Sequence, residues 1–467
     1  MSLSSHHIEQ LKALLGPKGW KEDAADLAPF LHEWRDRWAG ETPLLALPQS
    51  TENCAELVRY CAGHRIAITV QGGNTGLVGA QTPQGEVLIS TQRLSQVRDV
   101  NTANSTLTVE AGLTLAAAKD VVQKAGLLFP LSLASEGTAS IGGVLSTNAG
   151  GMEVLRYGTA RDLCLGLEVV TPKGEVLSTL KGLRKDNSGY DLKQLFIGAE
   201  GTLGIITAAV LKLYPIPPIR HTIWCTLNSV KNAIALLGFM RMHYGDALSK
   251  FELISQVGID YVLKNIPGTR APLPENSPWH VLLEFGFFQN ATGENALENV
   301  MGAALNASII QNAVIAQNET QAEAFLRLRE SLSAAQKGEG VALKHDISVP
   351  VSAMAAFIEV TSKEAERMAL ECRIFAFGHV GDGNVHFNIL QPTAMTREAF
   401  LALAPNITAM VYEQTMALGG SISAEHGIGI MKKEPLRTQK SAVEMDMMRT
   451  IKTALDPDNI MNPRVLF

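Results

Sequence analysis

Hydrophobic and polar positions along the chain form a polar opening, followed by a long alternation of buried-strand and amphipathic-helix patterns. Residues 1–42 are polar with helical spacing and hold Trp20, Trp34 and Trp38, which read as packing residues. The texture changes at Pro43. Ser50-Thr51-Glu52 opens an amphipathic helix that runs to Arg65, and the apolar run Ile66–Val70 reads as a buried strand. Further strands are predicted at Val87–Ser90 and Leu107–Ala111, with a helix over Leu115–Lys124. Leu165–Thr171 and Glu175–Thr179 flank Pro172-Lys173-Gly174 and predict a hairpin. The segment PIPPIR (215–220) puts three prolines in four positions and marks a domain boundary, because proline neither donates to a ladder nor continues a helix. Beyond it, strand-like segments at Thr222–Leu227 and His280–Phe287 alternate with helix-like segments at Ser229–His243 and Glu294–Ala307. That succession predicts an α+β domain built on an antiparallel sheet. A helix over Ala442–Leu455 precedes the ending DPDNIMNPRVLF.

Three glycine clusters interrupt the pattern: QGGNTGLVGAQ (71–81), EGTASIGGVLSTNAGG (136–151) and GAEGTLGIIT (198–207). Glycine permits positive φ and lets successive N–H groups turn inward into a nest for phosphate oxygens. One such cluster is commonly a turn. Three of them allow a long diphosphate-bridged ligand to run past several backbones, the competing reading being a β protein with tight turns. Every Gly-x-Gly lacks the third glycine of a Rossmann fingerprint, the expected positions holding Leu343, His386 and Lys432. No Gly-Lys dipeptide exists, so there is no Walker A loop.

Composition narrows the field. With 467 residues, 46% hydrophobic and 18% charged, the chain is globular and large enough for two or three domains. A net charge of −6 argues against nucleic acid as a partner. No apolar stretch approaches the roughly 18 residues of a membrane span. The opening MSLSSHHIEQLKALLG lacks the cationic start and apolar block of a secretory signal; with Glu9 and no Arg it fits a transit peptide badly, so a cytoplasmic protein is expected. Cys54, Cys61, Cys164, Cys225 and Cys372 are scattered and form no CxxC pair, which fits a reducing compartment.

A second chemical signal is FGHVGDGNVHFNI (377–389). Taking Asp382-Gly383 as a two-residue turn sets His379 directly opposite His386, with Cβ atoms roughly 5 Å apart and Asn388 on the same face. Two imidazoles so placed suit one divalent metal, and Glu425 in SISAEHGIGI (421–430) is the candidate carboxylate. The plain alternative is a hydrogen-bonded surface pair. The stretch FLRLRESLSAAQKGEGVALKHDISVP (325–350) carries several charges on a helix followed by a strand, which by itself reads equally well as a solvated face.

QGGNTGLVG, PLSLASEGTASIGGVLSTNAGG, GAEGTLGIIT and DPDNIMNP together resemble the FAD-binding half of the vanillyl-alcohol-oxidase (PCMH) type flavoproteins. More narrowly, the chain resembles the branch that holds FAD-linked D-lactate dehydrogenase, the glycolate oxidase flavin subunit and D-2-hydroxyglutarate dehydrogenase. The resemblance implies an α+β fold with a two-subdomain FAD-binding domain, an α+β cap domain on an antiparallel sheet and a helical C-terminal segment. The boundaries expected are 1–42 for an N-terminal helical segment, 43–215 for the FAD domain, 216–420 for the cap and 421–467 for a segment returning to the FAD domain. It places the FAD pyrophosphate on the loop of Gly72, Gly73, Asn74, Thr75, Gly76, Leu77 and Gly79. The isoalloxazine would lie near Ile141, Gly142, Gly143, Thr147 and Asn148, with Pro130, Gly137, Gly150, Gly201, Gly204, Ile205 and Asn462 contributing. Some relatives attach the flavin through a His in the first loop; Asn74 and Thr75 there imply a noncovalent FAD.

By the same resemblance His379, His386 and Glu425 would be metal ligands, zinc first, with manganese or iron fitting the same set. Asn388 and His426 would contact the substrate carboxylate and hydroxyl, and Arg329, Ser333 and Lys344 a distal carboxylate. Two cations facing the methyl of lactate would be desolvated for nothing, which favours a dicarboxylate, D-2-hydroxyglutarate with D-malate as a second candidate. Ser333 stands where the family often shows Thr, His345 where it often shows Tyr, and NPRVLF lacks the usual Gly-Lys. The implied chemistry is oxidation of a 2-hydroxy acid to the 2-oxo acid, with His426 as general base and hydride passing from C2 to flavin N5. Electrons would leave to an electron-transfer flavoprotein or a quinone-type acceptor, and a homodimer is compatible with the pattern. The rival readings are an FAD-linked D-lactate or glycolate dehydrogenase, a flavin-free metal hydrolase using the same histidines, and a non-catalytic metal-binding subunit.

Overall fold

The computed structural model describes residues 3–289 and 296–467. They divide into two compact units: Met1–Gly150, Gly158–Ile216 and Glu425–Phe467 form the first, Gly151–Tyr157 and Pro217–Ala424 the second.

The first unit opens with helix α1 (Ser5–Leu15), capped by the Ser4 side chain. Helix α2 (Thr51–Gly63) has Ser50 as N-cap and buries Cys54, Ala55, Leu57, Val58 and Cys61, the three-four spacing of an amphipathic helix. Strand β1 (Ile68–Gln71) pairs in parallel with β2 (Val87–Ser90), which pairs in parallel with Leu45–Ala46. Trp20–Lys21 adds antiparallel to Leu45–Ala46, so residues 1–42 contribute a strand as well as helices. Of the tryptophans expected to pack, Trp34 is 69% exposed. A second sheet contains β3 (Val97–Asn101), β4 (Thr106–Glu110), β5 (Cys164–Val170), β6 (Val176–Ser178) and β7 (Ile205–Lys212). Its order is β3-β4-β7-β5-β6, every pair antiparallel. Helix α3 (Leu115–Lys124) is capped by Thr114 and the short α4 (Ile141–Ser146) by Ser140. The helix Ala442–Leu455 carries a full capping box between Ser441 and Glu444.

The second unit is built on seven antiparallel strands: β8 (Ile219–Leu227), β9 (Leu248–Ser255), β10 (Trp279–Phe287), β11 (Asn312–Ile315), β12 (Ala342–Ser348), β13 (Arg373–His379) and β14 (Asn384–Leu390). They run in the order β11-β8-β10-β9-β13-β14-β12. The helix expected from Glu294 spans Ala296–Asn306, Glu294 itself lying outside the described residues.

Period-two alternation gives this sheet two different faces. Ile223, Cys225, Phe251, Leu253, Val281, Leu283, Val385 and Phe387 point into one core. Helices cover that face: α5 (Val230–Tyr244), α8 (Met354–Met368) and α9 (Arg397–Ala417), together with Ala296–Asn306, which contributes Leu297, Met301 and Ala304. The opposite face has an apolar part, with Trp224, Ile254, Leu282, Phe375 and Phe377 packed under α6 (Gln256–Asn265) and α7 (Glu319–Glu330). The rest of that face is polar and buried: Lys250, Glu252, Glu284, Asp346, His379 and Asn388 alternate with core residues on the same strands. A row of charges inside a sheet has to be paired, because isolated buried ions cost several kcal/mol each.

Candidate active site

Where β1 ends, the first glycine loop begins. A Cβ on Gly72 would stand 2.2 Å from Ser140 Oγ, and one on Gly73 would stand 1.8 Å from the Thr138 carbonyl oxygen. The first and second clusters are therefore pressed backbone to backbone, and only glycine permits it. At Gly142 the same test meets Ala111 Cβ at 2.7 Å, whereas at Gly137 nothing lies within 4 Å and the backbone borders open space.

The third cluster joins these through amides. Gly198 N–H donates to Leu145 O (3.0 Å) and Glu200 N–H to Ser146 O (2.8 Å). Asn462, in the left-handed region at φ 41°, accepts from Val70 N–H at 3.0 Å and donates to Glu200 O at 2.7 Å. Gly201, at φ 71°, lies against the same Asn462 side chain. All three clusters thus converge at the end of β1.

From Gly72 through Gly79 the loop N–H groups have no backbone acceptor among the described residues, although this stretch is partly or fully buried. A row of half-buried donors without partners suits the oxygens of a diphosphate, so the loop fits the FAD expected from its sequence. Asn74 has φ 54° and is spent on structure, its Nδ2 donating to His32 O at 2.8 Å. Gly76 O accepts from Gln81 Nε2 at 2.9 Å, and Gly79 sits on the Trp38 ring. Thr75 and Leu77 are partly buried in the loop, and Pro130, Ile141, Gly143, Gly150, Gly204 and Ile205 are partly or fully buried. Thr147 Oγ1 donates to Gly143 O (3.2 Å), and Asn148 Oδ1 accepts from Arg161 N–H (3.0 Å).

The side-chain cluster of the second unit lies on the polar face of its sheet. The expected hairpin needs a correction. His386 is paired with Phe377, not with His379, and Gly383 N–H donates to His379 O, so the connection is the four-residue loop 380–383. Val380 is the reason: it is fully buried, and its N–H bonds Phe251 O at 3.1 Å, which draws it out of the expected pairing. The slip is two residues, and an even slip keeps both imidazoles on one face. Their ring centroids are 5.7 Å apart, and a nitrogen of each lies within 4.8 Å of one on the other.

A buried carboxylate faces each ring. Glu252 Oε1 accepts from His379 Nδ1 at 2.7 Å, while its Oε2 accepts from Arg329 Nε at 2.8 Å and faces Nη2 at 2.7 Å. Burial pushes the Glu252 carboxyl upward, but the adjacent His379 and Arg329 outweigh it and hold the group below its ordinary range. Asp346 Oδ1 stands 3.5 Å from His386 Nδ1 and accepts from Asn384 Nδ2 at 3.0 Å. Arg329 is buried with its guanidinium 4.8 Å over the Phe377 ring. Asn388 donates to Gln336 Oε1 at 3.1 Å and lies opposite half-buried Lys344 across β12 and β14. Ser333, in the short helix Leu332–Ala335, is exposed. His345 points the other way, its Nδ1 at 2.9 Å from Phe387 O and its Nε2 at 3.1 Å from Thr408 Oγ1.

Glu425 and His426 follow Ala424, whose N–H reaches Asp346 O at 3.4 Å. Their loop is anchored within the first unit by Glu200, which accepts from Ile428 N–H and Gly429 N–H at 2.8 Å each. Burial raises the Glu200 carboxyl to about 6 against the pull of those two amides. Ile430 N–H bonds Val78 O at 3.0 Å, so the loop bearing His426 runs against the first glycine loop.

Comparison with known proteins identifies the family. The family described as "FAD linked oxidases, C-terminal domain" matches residues 216–466, and "FAD binding domain" matches 42–180. A D-2-hydroxyglutarate dehydrogenase of Xanthomonas citri pv. viticola is 37% identical over 452 residues, 96% of this chain and 94% of that protein. The chain belongs to the D-2-hydroxyglutarate dehydrogenase family of FAD-linked oxidases. A Schizosaccharomyces pombe relative named as a D-lactate dehydrogenase is 33% identical over 479 residues, covering 99% of this chain and 90% of its own. The fold recurs in p-cresol methylhydroxylase, with a TM-score of 0.75 at 16% identity, covering 99% of this chain and 97% of that one.

In this member of the family three carboxylates escape a reading of the sequence: Glu252, Asp346 and Glu200. Glu252 meets His379 across 127 residues, and only the pairing of β9 with β13 reveals it. Asp346 had a signal, since it alternates with Lys344 on a strand. Glu200 sits inside a glycine cluster at φ 51°, a local hint of a constrained role.

Proposed function

We propose that the chain oxidises D-2-hydroxyglutarate to its 2-oxo acid, using noncovalent FAD and a divalent cation, zinc first, held by His379, His386 and Glu425. The supporting observation is the buried carboxylate of Glu252, which ties a guanidinium and an imidazole together on one sheet face. When bound, FAD supplies the hydride acceptor and the cation a Lewis acid that acidifies the 2-hydroxyl. Asn388 orients the C1 carboxylate, and His426 takes the hydroxyl proton as general base. Lys344 and Arg329 hold the distal carboxylate, with Ser333 beside them. Glu252 engages Nε and Nη2 of Arg329, so Nη1 is the part of the fork assigned to the substrate. Residues 43–215 are assigned to cofactor binding and 216–420 to substrate, with 421–467 rejoining the former. Electrons pass on to an electron-transfer flavoprotein or quinone-type acceptor in the cytoplasm.

One observation favours a second reading. Arg329 already faces the carboxylate of Glu252, and a substrate without a distal carboxylate, such as D-lactate or glycolate, leaves that pair undisturbed. A panel of D-2-hydroxyglutarate, D-malate and D-lactate with a dye acceptor decides between them. The proposal expects the highest kcat/KM with D-2-hydroxyglutarate; a preference for D-lactate selects the second reading. Acid precipitation should release the yellow colour into solution.

A further inference from the structure

We propose that Glu252 is a positioning residue that sets the ligand geometry of His379, an inference that rests on the metal reading above. Glu252 lies on β9 directly opposite His379 on β13 and is fully buried. Its two oxygens divide their work: Oε1 takes the imidazole Nδ1 at 2.7 Å and Oε2 the Arg329 guanidinium at 2.7–2.8 Å. With Nδ1 donating to a carboxylate, the ring carries its proton there and presents the Nε2 lone pair as its ligand atom. The charge of Glu252 also makes the imidazole a stronger donor to a cation. Stability alone is a poor reason for this arrangement, because well-packed apolar residues commonly replace a buried ion pair without loss.

Asp346 stands toward His386 in the same sense but more loosely, its Oδ1 being 3.5 Å from Nδ1. Glu252 is therefore the tighter of the two carboxylate contacts, and its oxygens connect the proposed metal and substrate-carboxylate groups. Removing it should loosen the metal first.

The test is the zinc affinity of the FAD-loaded protein, read by competition with a chromogenic chelator in the absence of substrate. Glu252→Gln should weaken zinc binding by about 10–100-fold. Because that variant strands the Arg329 charge, Glu252→Gln/Arg329→Met is measured beside it, and it should show the same loss with both charges removed. Arg329→Met alone should keep the wild-type zinc affinity, since the Glu252–His379 contact survives. Near-UV circular dichroism establishes that each variant is folded. Wild-type zinc affinity in either folded Glu252 variant overturns the inference and leaves the metal reading intact, as does an equal loss in Arg329→Met. A wild-type protein that takes up no zinc overturns the metal reading and this inference with it.

Discussion

In the first unit the groups facing the proposed cofactor are mainly backbone. Gly72, Gly73 and Gly142 are placed where a side chain would strike a neighbour, and the loop N–H groups from Gly72 to Gly79 carry no backbone acceptor among the described residues. In the second unit the corresponding groups are side chains on a sheet, each facing a residue on another strand: Glu252 bonded to His379, Asp346 beside His386, Lys344 opposite Asn388. Backbone recognition tolerates no added atom. Side-chain recognition depends instead on charge balance, because Glu252, Arg329, Asp346 and His379 are buried together. The two units should therefore fail differently when altered.

The largest effect is expected at Gly73. Gly73→Ala puts a methyl 1.8 Å from a backbone oxygen, and the protein should be purified without flavin, checked by its visible spectrum. Gly137→Ala sharpens the point. With nothing within 4 Å of the added atom, the fold should survive, and any drop in flavin content reports that the open space is cofactor space. Next comes His426→Ala, for which turnover should fall by roughly 10²–10⁴ with flavin retained, as loss of a general base requires. Near-normal turnover would remove His426 from the chemistry.

The third effect concerns Arg329. Arg329→Met should raise KM for D-2-hydroxyglutarate by about 10–100-fold, the worth of a charged hydrogen bond, and change D-lactate oxidation much less. Equal losses for both substrates would favour a purely structural ion pair.

The smallest effect is a pH dependence in the first unit. Glu200 is raised from 4.5 to about 6 by burial, so the folded state binds its proton more tightly than the unfolded state. The resulting stability, about 2 kcal/mol, is present below pH 4.5 and lost as pH rises through about 6. Chemical denaturation across that window should show the decline in the wild type, and Glu200→Gln should lack it.

The legible parts of the fold were those written locally. Val87–Ser90 is a strand and Leu115–Lys124 a helix at the residues the pattern predicts, because a short apolar run and a Thr cap need no distant partner. The glycine clusters were legible for the same reason. The hairpin shows where local reading stops: Asp382-Gly383 has the composition of a two-residue turn, yet the contact of Val380 with Phe251 lengthens it to four. Faces survived that error because strand periodicity is two, so the shared side of His379, His386 and Asn388 was readable although the register was not. Glu252 was beyond reach, since nothing near it in sequence hints that it meets a histidine and an arginine on other elements.

The most direct measurement is dye-coupled oxidation of D-2-hydroxyglutarate by purified protein, stripped of metal with a chelator and then supplied with zinc. The account predicts that stripping abolishes turnover while the flavin spectrum remains, and that zinc restores it. Undiminished turnover in the metal-free flavoprotein would contradict it.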